Sequence, residues 1–329
     1  MAKFTIPISK PYLGKEEKSN VIKCLNSGWI SSSGKYVKEF EKSFIGYLGK
    51  GFGVAVSNGT VAIELALRAF KIGYGDEVII PNFTYAATIN AVINSGAKPI
   101  LIDIEESTWT MDINEIKKNI SKKTKAIIPV HVYGQPAKID EIKNIAKKNK
   151  ITVIEDCAEA LGATYKNKKI GINSDCATFS FFGNKIITTG EGGMLVFKKK
   201  KKADFARLLR NQGQSIKKSF WHTSAGFNFR MTNIQAAIGV AQMKSINKFI
   251  IQRKKIFQFY NEKLENYKKI SFLPSNLWSE NSYWYYTIII KNLGQLRRNK
   301  LIKILKKYGI ESRPGFYPLN TMKPYKKYS

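Results

Sequence analysis

The sequence predicts an α/β protein whose central sheet is largely parallel and is covered by helices on both faces. The first observation behind this prediction is a series of short apolar segments, rich in β-branched residues and bounded by Gly, Pro or Asn. The second is that segments with a helical period of apolar residues lie between most of them. Such an alternation is typical of parallel sheets flanked by helices.

Seven segments have the length and composition of buried strands, namely residues 53–57, 76–81, 98–104, 125–134, 151–156, 177–182 and 193–197. Three amphipathic helices are predicted between them, in TVAIELALRAFKI, AATINAVINSG and KIDEIKNIAKKNK. Ligands of such sheets bind beyond the carboxyl ends of the strands, so we expect the functional site at those ends.

The pattern changes from about Met231 onward. A long helical segment, TNIQAAIGVAQMKSINKFIIQRKKIFQFYNEKLENY, is predicted to connect two domains. An aromatic strand candidate YWYYTIII, a basic helix around RRNKLIKILKKYG and a short strand IESR follow it. We therefore expect a large cofactor-binding domain over residues 1–245 and a smaller C-terminal α/β domain over residues 246–329. A complete small domain would need one more helix and strand, so we expect the chain to be truncated.

The composition is typical of a globular protein. Of the 329 residues 43% are hydrophobic, and no segment approaches the roughly 20 apolar residues of a membrane span. The first residues, MAKFTIPISKPYLGKEEK, contain no apolar stretch resembling a signal peptide. We therefore expect a cytoplasmic protein without a membrane partner.

The formal net charge of +31 raises the question of an anionic partner such as nucleic acid. The lysines are scattered over predicted helical faces, and only residues 198–202 form a cluster, which is typical of a solvated turn. No groove of stacking aromatic residues and no reading helix is visible. We therefore expect no nucleic-acid partner, although the charge would help to attract an anionic substrate.

Two residues near strand ends predict a cofactor. Asp156 ends the apolar strand ITVIED, and Lys185 lies three residues beyond the strand ATFSFF. Pyridoxal phosphate chemistry requires a lysine amine that holds the cofactor aldehyde as an imine. It also requires a carboxylate that keeps the pyridine nitrogen protonated, so that the ring accepts electrons. The pairing therefore predicts pyridoxal 5'-phosphate (PLP) as cofactor, with Lys185 and Asp156 as catalytic residues.

The turn SNGT, residues 57–60, is the candidate phosphate site. It joins a strand to the helix TVAIELALRAF, so the N–H groups of Gly59 and Thr60 would point out of a helix N-terminus, where a phosphate binds well. The same four residues also form a good helix cap without any ligand. The predicted lysine and aspartate at the same sheet edge favour the phosphate site.

Three further residues have a functional and a structural interpretation. Tyr85 follows a strand end, where it could stack on a pyridine ring or pack in the core. Ser180 could reach the phosphate or simply fill space in its strand. Glu159 lies about one helical turn beyond Asp156 and could contact the phenolic oxygen of the cofactor. The two histidines, His131 and His222, have no neighbours typical of a catalytic triad or a metal site, so we predict no metal.

These residues lie in segments that resemble the nucleotide-sugar aminotransferases of the DegT/DnrJ type, in the aspartate aminotransferase superfamily. The resemblance covers essentially the whole chain, in the order and spacing of that family. It implies a fold type I PLP-dependent transferase. The segments that carry it are GWISSSGKYVKEFE, SNGTVAIELAL, GDEVIIPNFTYAAT, AIIPVHVYGQPA, VIEDCAEALGA, FSFFGNKIITTGEGGM, FNFRMTNIQAAIG and RPGFYPLN.

The resemblance also implies roles for individual residues. Lys185 would bind the cofactor covalently and shuttle a proton, and Asp156 would hold the pyridine nitrogen protonated. Many family members have glutamine at the position of Glu159. The implied cofactor contacts are Asn58, Gly59, Thr60, Tyr85, Asp156, Glu159, Ser180 and Lys185, with Asn228 from the partner subunit of a homodimer. The implied substrate contacts are Trp29, Ser31, His222, Arg313, Phe316 and Tyr317.

Within the family the sequence is most similar to the GDP-perosamine synthase group. This similarity implies transfer of an amino group from L-glutamate to GDP-4-keto-6-deoxymannose, giving GDP-perosamine for surface polysaccharide (O-antigen) biosynthesis. Two alternatives remain open at this point, an aminotransferase for a UDP- or dTDP-linked keto sugar and a non-catalytic PLP-binding regulatory protein. Dehydratases of the family have histidine in place of the lysine, so Lys185 argues against that activity.

Overall fold

The computed structural model describes residues 4–328. Its strands are β1 (Phe52–Val56), β2 (Glu77–Pro81), β3 (Lys98–Ile102), β4 (Thr124–Ile127), β5 (Thr152–Asp156), β6 (Thr164–Tyr165), β7 (Lys168–Lys169), β8 (Cys176–Ser180), β9 (Gly193–Phe197), β10 (Ile270–Phe272), β11 (Ser279–Glu280) and β12 (Ile288–Ile290). Its α-helices are α1 (Lys15–Ser27), α2 (Lys35–Leu48), α3 (Gly59–Phe70), α4 (Ala87–Asn94), α5 (Ile113–Asn119), α6 (Ile139–Asn149), α7 (Lys200–Arg210), α8 (Asn233–Leu264) and α9 (Gly294–Lys307). Short 3-10 helices lie at Val132–Gly134, Leu319–Thr321 and Lys326–Tyr328.

Seven strands form the central sheet, in the order β1-β9-β8-β5-β4-β2-β3. Strands β8, β5, β4, β2 and β3 pair parallel with their neighbours, and only β9 runs antiparallel, to both β1 and β8. The prediction of a largely parallel sheet is therefore confirmed, and each of the seven predicted strand segments overlaps one of its strands, three of which begin one residue earlier than predicted. The parallel strands direct their carboxyl ends to one edge, which is the edge where a ligand site is expected.

Apolar side chains fill both sides of the sheet because neighbouring strand residues face opposite ways. In β1, Val54 and Val56 pack with α3, α4 and α7, whereas Ala55 faces the other side. That other side is covered by α2, α5, α6 and α8, whose apolar stripes are buried. The two apolar layers fix the sheet between helices on both faces, as the alternation in the sequence predicts.

The predicted strand over residues 125–134 is shorter than expected. β4 ends at Ile127, and beyond Pro129 the backbone makes only an isolated bridge, from Val130 to Asp156. Tyr133 has a positive φ of 51°, a left-handed conformation that a strand does not tolerate. The chain therefore turns at the sheet edge instead of continuing the strand.

The C-terminal region differs from its prediction at two points. In YWYYTIII only Ile288–Ile290 forms a strand, paired with β10, because Tyr283 has a positive φ of 59° and the aromatic residues face a cavity. In IESR, Ile310 makes a single bridge to Ile6 and no strand follows. The predicted long helix and the basic helix form as α8 and α9.

Helix α8 has 32 residues, and the predicted domain boundary between residues 245 and 246 lies inside it. The division into two domains stays a prediction. Within residues 4–328, no helix combines the length and the apolar composition that crossing a membrane requires.

Candidate active site

Strand β5 delivers a carboxyl group to the functional edge of the sheet. Asp156, its last residue, is buried, and its Oδ2 accepts a hydrogen bond of 2.9 Å from the Thr88 hydroxyl. Its Oδ1 accepts one of 3.1 Å from the N–H of Ala158. Burial raises the pKa of Asp156, while these two donors and the positive charge of Lys185 oppose that rise. The carboxylate is thus held in a fixed orientation at the strand end.

Lys185 lies in the loop that follows β8, in the wall of the same cavity. Its Nζ is 3.9 Å from the centre of the Trp284 ring, a cation–π distance. Trp284 is fixed in turn, because its Nε1 donates a hydrogen bond of 2.9 Å to the carbonyl of Asn184. Burial lowers the pKa of the Lys185 amine, against the charges of Glu159 and Asp156. A lowered pKa leaves more of the amine in its neutral form, which is the form that acts as a nucleophile or a base.

Glu159 completes a group of three titratable side chains. Its Oε2 accepts a hydrogen bond of 2.8 Å from the backbone N–H of Tyr133, and its backbone carbonyl accepts one from Ser282. Burial raises the pKa of Glu159 to about 7, while the charge of Lys185 opposes the rise. A carboxyl group that titrates near neutral pH beside an amine is typical of a proton-transfer site.

The predicted phosphate site is built at the start of α3. The side chain of Asn58 caps the helix by accepting a hydrogen bond of 3.0 Å from the N–H of Val61. No hydrogen bond among residues 4–328 uses the N–H of Gly59 or Thr60. A Cβ on Gly59 would lie 2.8 Å from the Cβ of Ser180, so only glycine lets the turn approach β8 this closely. The two free N–H groups and the serine hydroxyl together suit a phosphate dianion.

These groups surround one cavity of about 1450 Å³. Tyr85 lies in its wall with 64% of its surface exposed, free to cover a ring bound there. The predicted site residues that line this cavity are Asn58, Gly59, Thr60, Tyr85, Asp156, Glu159, Ser180, Lys185, Arg313 and Phe316. The structure thus brings together residues from α3, β5, β8 and the C-terminal segment.

The other predicted site residues do not line the cavity of their own chain. Trp29 and Ser31 lie on an exposed loop whose carbonyls accept hydrogen bonds from Asn233. His222 and Asn228 are exposed on the segment that precedes α8. Tyr317 is partly exposed, and its hydroxyl accepts a hydrogen bond of 2.9 Å from Arg298. A single chain therefore does not unite these five residues with Lys185.

Three residues at the site were missed by the sequence reasoning. Thr88 lies one helical turn after Thr84 in the segment PNFTYAAT, and this spacing was the available signal for a group beside Asp156. Trp284 was assigned to a strand, although its ring lies against both Lys185 and Tyr133. Tyr133 gave no signal, since its importance depends on an unusual backbone conformation.

The other face of β5 holds a separate buried cluster of His131, Glu155 and Cys157, whose ligand atoms lie within 4.8 Å of one another. The N–H of Ala137 donates to Nδ1 of His131 at 3.0 Å, so the ring proton lies on Nε2 and points to Glu155, 3.0 Å away. Burial would raise the pKa of Glu155, but this hydrogen bond lowers it. Both ring nitrogens are occupied, so the imidazole has no lone pair left for a metal.

The residues that line the cavity suit the functional groups of PLP. A helix N-terminus suits its phosphate, a buried carboxylate suits its pyridinium nitrogen, and an amine suits its aldehyde. A site of this kind can bind the cofactor and move protons next to it.

Comparison with known proteins agrees with this geometry. The model of the DegT/DnrJ/EryC1/StrS aminotransferase family matches residues 11–329. The chain belongs to this family. The aminotransferase is 44% identical to the GDP-perosamine synthase of Caulobacter vibrioides over 321 residues, covering 97% of this chain and 86% of the relative. It is 42% identical to that of Escherichia coli O157:H7 over 320 residues, with 97% and 87% covered.

Solved structures agree with the same assignment. A Streptococcus pneumoniae protein assigned as a sugar aminotransferase, in its PLP form, superimposes with a TM-score of 0.92 at 30% identity, covering 98% of this chain and 87% of that one. Helicobacter pylori PseC, an aminotransferase of pseudoaminic acid biosynthesis, gives a TM-score of 0.93 at 27% identity, with 99% and 88% covered. The predicted family, fold type and cofactor are thus confirmed, and the aminotransferase is a PLP-dependent enzyme.

Proposed function

We propose that this aminotransferase transfers the amino group of L-glutamate to the 4-keto carbon of GDP-4-keto-6-deoxymannose, giving GDP-perosamine and 2-oxoglutarate. The observation that carries the proposal is one cavity lined by Lys185, Asp156 and Glu159 in a chain 41–44% identical to three proteins named GDP-perosamine synthase. The product would serve surface polysaccharide (O-antigen) synthesis in the cytoplasm.

PLP, when bound, would supply an aldehyde that accepts the donor's amino group and a pyridinium ring that delocalises the electron pair left on the donor's α-carbon when its proton is removed. Asp156 holds the proton on the pyridine nitrogen. Burial raises the pKa of Asp156, and its two hydrogen-bond donors, Thr88 and the N–H of Ala158, oppose that rise and so favour the carboxylate form. The negative charge of Asp156 makes the protonated ring the stable form.

Lys185 carries the proton between carbon atoms. Its amine would hold the aldehyde of the cofactor when PLP is bound. Because burial lowers its pKa, part of the amine is neutral. This neutral amine would remove the donor's α-proton and then deliver the proton to the second carbon atom. The Trp284 ring beneath Nζ holds the ammonium near the site.

The other residues that line the cavity would position the cofactor and the substrate. The N–H groups of Gly59 and Thr60, with the cap residue Asn58 and the Ser180 hydroxyl, bind the cofactor phosphate, and Tyr85 covers its ring. Glu159 would hold the phenolic oxygen of the cofactor, and its raised pKa would allow it to share a proton there. Arg313 and Phe316, which also line the cavity, would contact the nucleotide sugar.

The active form we propose is a homodimer. Trp29, Ser31, His222 and Asn228 are partly or largely exposed and lie outside the cavity of their own chain. In a dimer these residues are free to reach the cavity of the other subunit, where Asn228 would bind phosphate and the other three would contact the substrate. Tyr317, beside Phe316, contacts the substrate from the C-terminal segment.

The substrate assignment is tested with the protein, PLP, L-glutamate and a panel of GDP-, UDP- and dTDP-linked 4-keto-6-deoxy sugars. We expect amino-sugar formation, detected by mass spectrometry, with the GDP-linked sugar, and equal amounts of 2-oxoglutarate. Lys185→Ala is the control and should form no amino sugar. Reaction of the UDP- or dTDP-linked sugars alone would refute the GDP-perosamine assignment.

A further inference from the structure

Tyr133 has a conformation that costs free energy and is therefore held in place by its surroundings. It follows His131 in the turn beyond β4, is 3% exposed, and has a φ of 51° and a ψ of 25°. A left-handed conformation of a bulky non-glycine residue is sterically unfavourable and persists where other contacts fix it. This conformation is held by contacts of the Tyr133 N–H, ring and hydroxyl.

The backbone of Tyr133 fixes the cofactor side of the cavity. Its N–H donates the 2.8 Å hydrogen bond to Oε2 of Glu159. Its ring stacks on that of Trp284, with centroids 6.0 Å apart and planes 20° apart. The Trp284 ring also contacts the Nζ of Lys185. One residue thereby touches the carboxyl group directly and the lysine through an aromatic ring.

The phenol of Tyr133 fixes the C-terminal segment at Phe316. Its oxygen accepts a hydrogen bond of 2.9 Å from the N–H of Phe316, whose ring stacks on the Tyr133 ring at 4.9 Å and 13°. Burial raises the pKa of Tyr133, so the phenol remains un-ionised. The next residue that binds the backbone of this segment is Asn82, whose oxygens accept hydrogen bonds from the N–H groups of Leu319 and Asn320. Upstream of it, the Tyr133 hydroxyl is the contact that ties the chain at Phe316.

We propose that Tyr133 is a positioning residue that fixes the substrate-facing segment of residues 313–316 relative to Glu159, so that substrate affinity depends on its hydroxyl. This inference rests on the proposed function, because it assigns that segment to the nucleotide-sugar site. The N–H contact to Glu159 does not involve the side chain. The substitution Tyr133→Phe therefore removes the hydroxyl contact with Phe316 and keeps the ring and the backbone contact with Glu159.

The first test measures hydrogen–deuterium exchange by mass spectrometry at single-residue resolution in the cofactor-free protein. In Tyr133→Phe we expect the amide of Phe316 to exchange about two- to tenfold faster, as one lost hydrogen bond allows. The amides of Leu319 and Asn320 should keep their wild-type rates because Asn82 still binds them. Unchanged exchange at Phe316 would overturn the proposal.

The second test separates the two half-reactions. In Tyr133→Phe we expect the KM of the nucleotide sugar to rise about two- to tenfold. The rate and glutamate dependence of the donor half-reaction, followed by cofactor absorbance, should stay unchanged, since Glu159 and Lys185 keep their contacts. An equal loss in both half-reactions would show a general structural role and contradict the proposal.

Tyr36→Phe is the matched control. Tyr36 is also a buried tyrosine, its hydroxyl makes one hydrogen bond, of 3.4 Å to Asn20, and it lies in α2 outside the cavity. We expect this variant to leave Phe316 exchange and both half-reactions unchanged. If the wild-type protein aminates no GDP-linked sugar, the proposed substrate fails, while Phe316 exchange and the KM of whichever sugar reacts still decide the role of Tyr133.

Discussion

Thr88 is the residue through which the charge of Asp156 can be adjusted without touching the carboxylate. Its hydroxyl supplies one of the two hydrogen bonds that oppose the effect of burial. We expect Thr88→Val to slow the donor half-reaction roughly 10- to 100-fold, since a hydrogen bond to a charged group is lost. Stopped-flow absorbance of the cofactor measures this rate. Thr88→Ser keeps a hydroxyl and should remain near wild type, and an equally slow Ser variant would speak against this explanation.

Glu159 should make the stability of the cofactor-free protein depend on pH. Its pKa rises from 4.5 to about 7 on folding because burial disfavours the carboxylate. Its stabilising contribution is therefore complete below about pH 4.5 and lost as the pH rises through about 7. Glutamine does not ionise, so we expect Glu159→Gln to exceed wild type in free energy of unfolding at pH 8 by about 1–3 kcal/mol, with little difference at pH 4.5.

Urea unfolding at the two pH values measures this difference. Glu262→Gln, an exposed residue on α8, is the control and should show no such pH-dependent gain. A constant offset between Glu159→Gln and wild type at both pH values would contradict the raised pKa.

The chemistry of single residues was predictable where it follows strand ends. Asp156 and Lys185 could be found because the end of a strand fixes where the following side chain lies. The Trp284 indole is fixed by a hydrogen bond to the carbonyl of Asn184, about 100 residues away in the sequence. A local sequence pattern does not predict a contact over that separation. The roles of Asp156 and Lys185 in binding the cofactor stay predictions, like those of the other site residues.

Among the elements, α3 begins at a position where only glycine fits, because a side chain on Gly59 would collide with Ser180. Gly59→Ala would bring a methyl group to 2.8 Å from the Cβ of Ser180, so we expect a roughly tenfold or greater loss of PLP affinity. Titration of the cofactor-free protein with PLP measures it.

Gly46→Ala in α2 is the matched control, since a Cβ there meets no atom within 4 Å. We expect it to leave PLP affinity unchanged and to stabilise the fold by about 0.5–1 kcal/mol. If both alanine variants bind PLP like the wild type, the start of α3 is not the phosphate site.

Element prediction succeeded where burial sets a regular period and failed where tertiary contacts override it. The buried strands of the central sheet are apolar and β-branched, and their positions were predicted to within a few residues, apart from the shortened β4. In YWYYTIII the same composition serves another purpose, since Trp284 and Tyr285 stack on each other at 4.0 Å and line the cavity. β-propensity describes fit to a half-buried surface, and a cavity wall offers the same environment without a strand.

At the scale of the whole molecule, the proposed dimer predicts that two inactive variants restore each other. Lys185→Ala and Asn228→Ala each remove one group, from opposite contributors to a shared site. After unfolding and refolding together, we expect roughly a quarter of wild-type activity, because half of the dimers are mixed and each mixed dimer has one intact site.

A mixture of Lys185→Ala with Asp156→Asn is the control. Both groups belong to the cavity of one chain, so no mixed dimer gains an intact site. Recovery in this control, or none in the Lys185→Ala and Asn228→Ala mixture, would contradict the assignment of Asn228 to the other subunit.

Glu155 and Asp156 are adjacent in β5, yet one faces His131 and the other faces the cavity. Shifting the strand by a single position would exchange them, sending the glutamate toward the cofactor and the aspartate toward the histidine. Point substitutions alter one of these two sites at a time. An inserted or deleted codon in this strand disrupts both together, so we expect the length of β5 to tolerate less variation than its composition.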